Sequence, residues 1–140
     1  MKILIAVDGS PYGARALRFV LRQWATSRNA ADLTLLYVDP PLSAHVSGYL
    51  DAVAVAQFHA HNYAHAMRGV RRLLARERRA HEEAMLVGDP PVEIVQFARK
   101  GRFDLVAMGS HGRGAVGSVL LGSVVLKVLS HSRVPVLVVR

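Results

Sequence analysis

Between Asp104 and Val125 the chain reads DLVAMGSHGRGAVGSVLLGSVV, and this stretch limits the possible folds more than any other. The apolar run Leu105 to Met108 is short and flanked by Asp104 and Gly109, which suits a strand buried on both faces of a parallel sheet. Gly109, Gly112, Gly114, Gly117 and Gly122 follow, leaving a backbone that a ligand can approach closely. A helix is expected to begin near Ser123, with Ser123 as its cap and the unpaired N–H groups of its first turn pointing outward. Strand, glycine loop and helix start together predict a phosphate site.

Two common phosphate motifs fail here. No glycine of the loop is followed by Lys, which excludes the GxxxxGK[ST] pattern. Gly112 to Gly117, GRGAVG, does match GxGxxG, but a dinucleotide site places that motif in the first βα unit with an acid about 20 residues later. No acid follows Asp104.

The spacing that fits is G-x2-G-x9-G-[S/T], with Gly109, Gly112 and Gly122-Ser123 at its fixed positions. With KILIAVDGSPYGARAL at the start, VGDPPVEIVQFA and DLVAMGSHGRG inside and SRVPVLVV at the end, the chain resembles the ATP-binding branch of the universal stress protein family. The resemblance implies an adenine-nucleotide alpha-hydrolase-like α/β fold, an open five-stranded parallel sheet of order 3-2-1-4-5 with helices on both faces. It also implies ATP, with or without Mg²⁺ held by Asp8 or Ser123. Adenine would lie at the backbone of Val38, ribose between Asp8 and the segment Gly109 to Gly112, and phosphates on Gly122, Ser123 and Val124. Met108, His111 and Arg113 complete the implied site. Val125 and Leu126 depart from the family's polar residues after Gly-Ser, which bears on the surface of the helix.

The rest of the chain fits one domain over 1–140, a length that buries roughly 68% of the unfolded surface. Ile3 to Val7 reads as a central strand with Asp8 at its carboxyl end, where α/β sheets bind ligands and where Asp also organises turns. Ser10-Pro11 reads as the cap and first residue of a helix running to about Ser27. Asp32 to Asp39 is the second strand, stopped by Pro40-Pro41. An irregular connection follows to Asp51, then a long helix from Ala52 to Arg79 with Tyr63, Met67, Val70 and Leu74 inward. Ala84 to Val87, a short helix from Val92 to Lys100, and a last strand Val134 to Val139 complete five strands. Val124, Leu126 and Val128 are expected to mark the helix that begins at Ser123.

Hydrophobic residues make up 51% and charged residues 20%, ordinary for a soluble α/β protein. No apolar run nears the ~20 residues that span a bilayer, no signal-peptide pattern is visible, and there are no cysteines. The expectation is a cytoplasmic protein without membrane or disulfide chemistry. His61 and His65 share a helix face but lack a third ligand, so no metal site is expected, and His59 has no assigned role.

The favoured function is a regulatory nucleotide-binding module that reports to an unknown protein partner. An ATPase or autokinase stays open, since there is no Walker Lys and no evident base, and no catalytic residue is assigned. The formal charge of +8 raises nucleic-acid binding through arginine-rich helix faces, but with aromatics at 6% and no recognised motif no sequence-specific binding is expected. The apolar last strand, with little to blunt it, predicts a homodimer through that strand.

Overall fold

In the computed structural model, which describes residues 1–24, 31–112 and 121–140, five parallel strands form one sheet of order β3-β2-β1-β4-β5. These are β1 (Lys2–Ala6), β2 (Asp32–Asp39), β3 (Glu82–Val87), β4 (Leu105–Gly109) and β5 (Val136–Val139). The order matches the expected one. β1 pairs on one side with β2 (Ile3 opposite Leu33) and on the other with β4 (Ile3 opposite Leu105), so the strand order reverses beside it.

Alternate residues of the central strands serve two separate cores. Ile3, Ile5, Leu33, Leu35 and Ala107 pack under α1 (Pro11–Trp24) and α3 (Ala52–Arg76). Leu4, Leu36, Val106 and Met108 pack under α4 (Pro90–Lys100) and α5 (Ser123–His131). Both faces of the strands are therefore apolar, as a doubly covered parallel sheet requires.

Local differences from the sequence expectation have local causes. The connection after Pro41 is not wholly irregular: α2 (Ala44–Ser47) forms one turn, with Ser43 Oγ accepting from the N–H of Val46 at its start. The long helix stops at Arg76, three residues early. Arg78 takes a left-handed φ of 48°, and Arg79 N–H bonds Leu74 C=O in a Schellman closure. Arg79 thus leaves the helix, and its guanidinium donates to Ala31 C=O. β3 begins earlier, at Glu82, and β5 later, at Val136. The expected end of α1 at Ser27 lies outside the described residues.

The start of α5 differs most usefully. Its N-cap is Gly122 and not Ser123, which becomes the first helical residue, and no side chain caps the end. On this helix Val125 and Val128 are buried, whereas Leu126 is turned out.

Candidate functional site

A cavity of about 630 Å³ opens at the carboxyl ends of β1, β2 and β4, at the reversal of strand order. Its size suits a ligand of nucleotide dimensions.

The floor is the turn between β1 and α1. Asp8 Oδ1 accepts from the N–H of Ser10 at 2.9 Å, and Ser10 Oγ accepts from the N–H of Gly13 at 3.3 Å. Gly9 between them has φ 83°, a conformation glycine adopts without strain. Asp8 therefore organises the turn, and the same bond aims the carboxylate into the cavity. Oδ2 lies so near Gly112 that a Cβ there would sit 3.0 Å from it.

Gly109 has a purely steric reason. A Cβ at this position would lie 2.5 Å from the backbone carbon of Tyr12, so only glycine lets the end of β4 touch the start of α1. The glycine loop is pinned beyond it. Ser110 N–H bonds Val139 C=O at 2.8 Å, and Gly122 N–H returns to Ser110 C=O at 2.8 Å. His111 shares a hydrogen bond with Ser110 through Nδ1 (2.9 Å), its ring 5.1 Å from that of Tyr12.

The first turn of α5 forms one end of the cavity. Leu126 N–H is the first to bond back within the helix, to Gly122 C=O. The N–H groups of Ser123, Val124 and Val125 precede that ladder at an end without a side-chain cap. All three residues line the cavity. This is the polar, anion-attracting end.

The other end lies beyond β1, over β2. Leu36, Val38, Pro40, Pro90 and Ile94 make an apolar slot there. Since β2 and β4 flank β1, the two ends stand roughly 10 Å apart, two inter-strand spacings.

Nine residues named from the sequence, Asp8, Val38, Met108, Gly109, His111, Gly112, Gly122, Ser123 and Val124, border this one cavity. The tenth, Arg113, lies outside the described residues. Sequence reasoning missed Asp39. It lines the cavity beside Val38 and is only 5% exposed. Its carboxylate accepts from Tyr37 Oη (2.7 Å) and Asn62 Nδ2 (2.9 Å) and bonds His59 Nδ1 (2.7 Å). Burial pushes its pKa up, but the hydrogen bonds from His59, Asn62 and Tyr37 outweigh that and hold the carboxyl below its ordinary value. The signal was present: Asp39 ends β2 as Asp8 follows β1. His59, 7% exposed, is thus a structural partner. His61 and His65 are exposed, and among the described residues no three ligating side chains cluster.

Residues 1–140 match the Universal stress protein family over their whole length. The chain belongs to the universal stress protein family. It is 33% identical to "Universal stress protein in QAH/OAS sulfhydrylase 3'region" of Thermus aquaticus, covering 99% of this chain and 97% of that one. Universal stress protein MJ0577 of Methanocaldococcus jannaschii is 42% identical over 59 residues, 42% of this chain and 36% of its own. By sequence the match spans about a third of the length of the two M. jannaschii relatives. The solved structure of MJ0577 superposes over 99% of this chain and 94% of its own, with TM-score 0.80 and 29% identity. A universal stress protein solved in complex with cAMP superposes with TM-score 0.70 at 25% identity, covering 100% of this chain and 97% of that one. Among the described residues no helix is long and apolar enough to cross a membrane.

Proposed function

We propose that this chain is a regulatory adenine-nucleotide-binding module whose ligand is ATP. The observation that carries the reading is the polarity of the cavity. An uncapped helix start stands at one end, an apolar slot at the other, and Asp8 between them. A triphosphate on the N–H groups of Ser123 and Val124 leaves the ribose hydroxyls beside Asp8 and the base over Val38. A Mg²⁺ accompanying the phosphates would find an oxygen donor in Asp8 or Ser123. The relative solved with cAMP supports the ligand class. Binding is favoured over turnover, because phosphoryl transfer needs positioned charge and a base or water-orienting group, and the glycine loop has no Walker Lys.

Adenine nucleotide should be released from the purified, denatured protein at near one per chain. Gly122→Glu should remove ATP affinity in calorimetric titration, since the new carboxylate enters the phosphate end. Equal affinity in the two proteins would refute the site.

We also propose a homodimer through β5. Its four residues are only half-buried at the sheet edge, and Leu126 (49% exposed) and Leu129 (43%) extend the apolar surface on α5.

A further inference from the structure

α1 and α3 lie side by side over the same core, and neither contains an acidic residue. Their outward faces are arginine rows. On α1 the buried residues are Gly13, Ala16, Leu17, Val20 and Leu21, and at about 100° per residue Arg15, Arg18 and Arg22 fall on the opposite side. On α3 the buried residues include Ala66, Met67, Val70 and Leu74, and Arg68, Arg72 and Arg76 fall opposite them. All six arginines are exposed.

None of the six has a carboxylate partner among the described residues. The arginine ion pair found there, Arg71 with Glu83, uses a neighbouring side chain that turns toward β3. Arg15 rests over the ring of Tyr12, 5.0 Å from its centroid. The result is two rows of permanent positive charge on neighbouring helices, whose axes in packed pairs stand about 8–10 Å apart. On α4 and α5 the basic residues Arg99, Lys100 and Lys127 share their layer with Glu93 and with the exposed apolar side chains Val92, Leu126 and Leu129.

We propose that the α1/α3 face docks the phosphate backbone of double-stranded nucleic acid without reading its sequence. Arginine suits phosphate because its planar fork gives paired hydrogen bonds. Single strands are disfavoured, since stacking needs aromatic rings among the cations, and among the described residues the exposed tyrosine and phenylalanine rings are Tyr49, outside both helices, and Phe58, on the arginine side of α3 but ten residues before Arg68. An anionic membrane is disfavoured because insertion needs apolar side chains flanking the charge. No large apolar residue of α1 is exposed, and on α3 the exposed ones, Val53 and Phe58, stand in its first two turns, before the arginine row begins at Arg68. This surface does not depend on the nucleotide cavity, and either reading can fail alone.

The test is fluorescence anisotropy with two labelled 25-base-pair duplexes of unrelated sequence, on the whole protein, from 50 to 200 mM salt. Wild type is compared with Arg68→Gln/Arg72→Gln/Arg76→Gln, with Arg15→Gln/Arg18→Gln/Arg22→Gln, and with the charge-matched control Arg99→Gln/Lys100→Gln/Lys127→Gln. Circular dichroism melting accompanies each variant. The expected result is equal affinity for both duplexes, with a dissociation constant of about 10⁻⁴ to 10⁻⁶ M near physiological salt. Each α1 or α3 triple variant should weaken binding about tenfold or more and reduce the salt slope by about 2.7, from three lost phosphate contacts. The control should stay within about twofold. Equal loss in the control would overturn the proposal, because affinity would then follow net charge. So would tighter binding to phosphatidylglycerol vesicles or to poly-glutamate than to duplex, or no binding at 50 mM salt.

Discussion

The two helix layers clothe one sheet with opposite chemistry. α1 and α3 turn arginines outward, and α3 is tied to the sheet by polar networks as well as apolar packing. Asp39 holds His59 and Asn62 of α3, and Glu83 of β3 takes Arg71 Nε at 2.9 Å and Tyr63 Oη at 2.7 Å. Under α4 and α5 the core is a cluster of aliphatic side chains with Phe97 and Phe103 stacked at its margin, and the outer surface exposes Val92, Leu126 and Leu129. A layer that sheds apolar surface outward seeks a protein partner, and one that carries unpaired cations seeks an anion. One small sheet can thus open a cavity at its strand ends and still present two dissimilar surfaces.

The largest effect should come from cutting the polar tie of α3. Asp39→Ala leaves His59, Asn62 and Tyr37 without their shared acceptor in a buried place, and should cost about 3 kcal/mol in denaturant unfolding. Ile94→Val, a deletion in the other layer, should cost only about 1 kcal/mol. Comparable losses would erase the distinction. Acid should act the same way. Glu83 is held down to about 2, first by its hydrogen bonds from Arg71, which outweigh burial, with Tyr63 and His81 adding to them. Its folded value is below the ordinary 4.5, so its contribution is complete above pH 4.5 and is lost as pH falls toward 2. Asp39, also lowered, acts in the same direction. Amide exchange near pH 3 should therefore open α3 before α4 and α5, and the reverse order would contradict the polar tie.

Next in size is the outer surface of the α5 side. Val136→Lys with Val138→Lys should convert a dimer to monomer in light scattering while leaving duplex affinity unreduced. A wild type that is already monomeric, or a double variant that stays dimeric, would remove β5 as the interface.

The strands were legible because each is a short apolar run, four of the five closed by Asp, Gly or Pro, whereas their order came only with the family resemblance, since no local signal says which strands pair. The cavity was legible for a related reason. Asp8 and the glycines sit at strand ends and in a fixed spacing, where sequence position fixes spatial position, whereas Val38, Met108 and His111 came only with the family resemblance. Asp39 was not legible, since its role depends on His59 and Asn62 arriving twenty or more residues later on another helix. The cap of α5 was misplaced because Ser123 is a good N-cap type, yet Gly122 bonds Ser110 C=O and is already held in extended geometry at that point. Val124, Leu126 and Val128 were named for apolar character at a spacing of two, which at about 100° per residue cannot lie on one helix face, and Leu126 is on the outer side. Arg79 was counted as helical because nothing in RRLLARERRA marks the stop. The left-handed residue is an arginine where glycine is the usual signal.

That last point yields the smallest prediction, and it bears on both layers at once. Arg78 after α3 and Arg102 after α4 occupy the same place in the same closure: φ is 48° and 53°, and the next residue's N–H returns to Leu74 and Ala98 C=O. A left-handed conformation costs an L-residue about 1–2 kcal/mol, part of which glycine gives back through its greater unfolded freedom. Arg78→Gly and Arg102→Gly should each stabilise the fold by about 0.5–1 kcal/mol, equally, since the backbone does not sense which layer it ends. Duplex affinity should separate them. Arg78 stands just beyond Arg76 at the end of the α3 row, so Arg78→Gly should weaken binding a few-fold, whereas Arg102→Gly, at the end of the other layer, should leave it unchanged. Melting curves and anisotropy on the same two proteins read both effects. Equal losses of affinity would mean that charge acts over the whole molecule and not through one face.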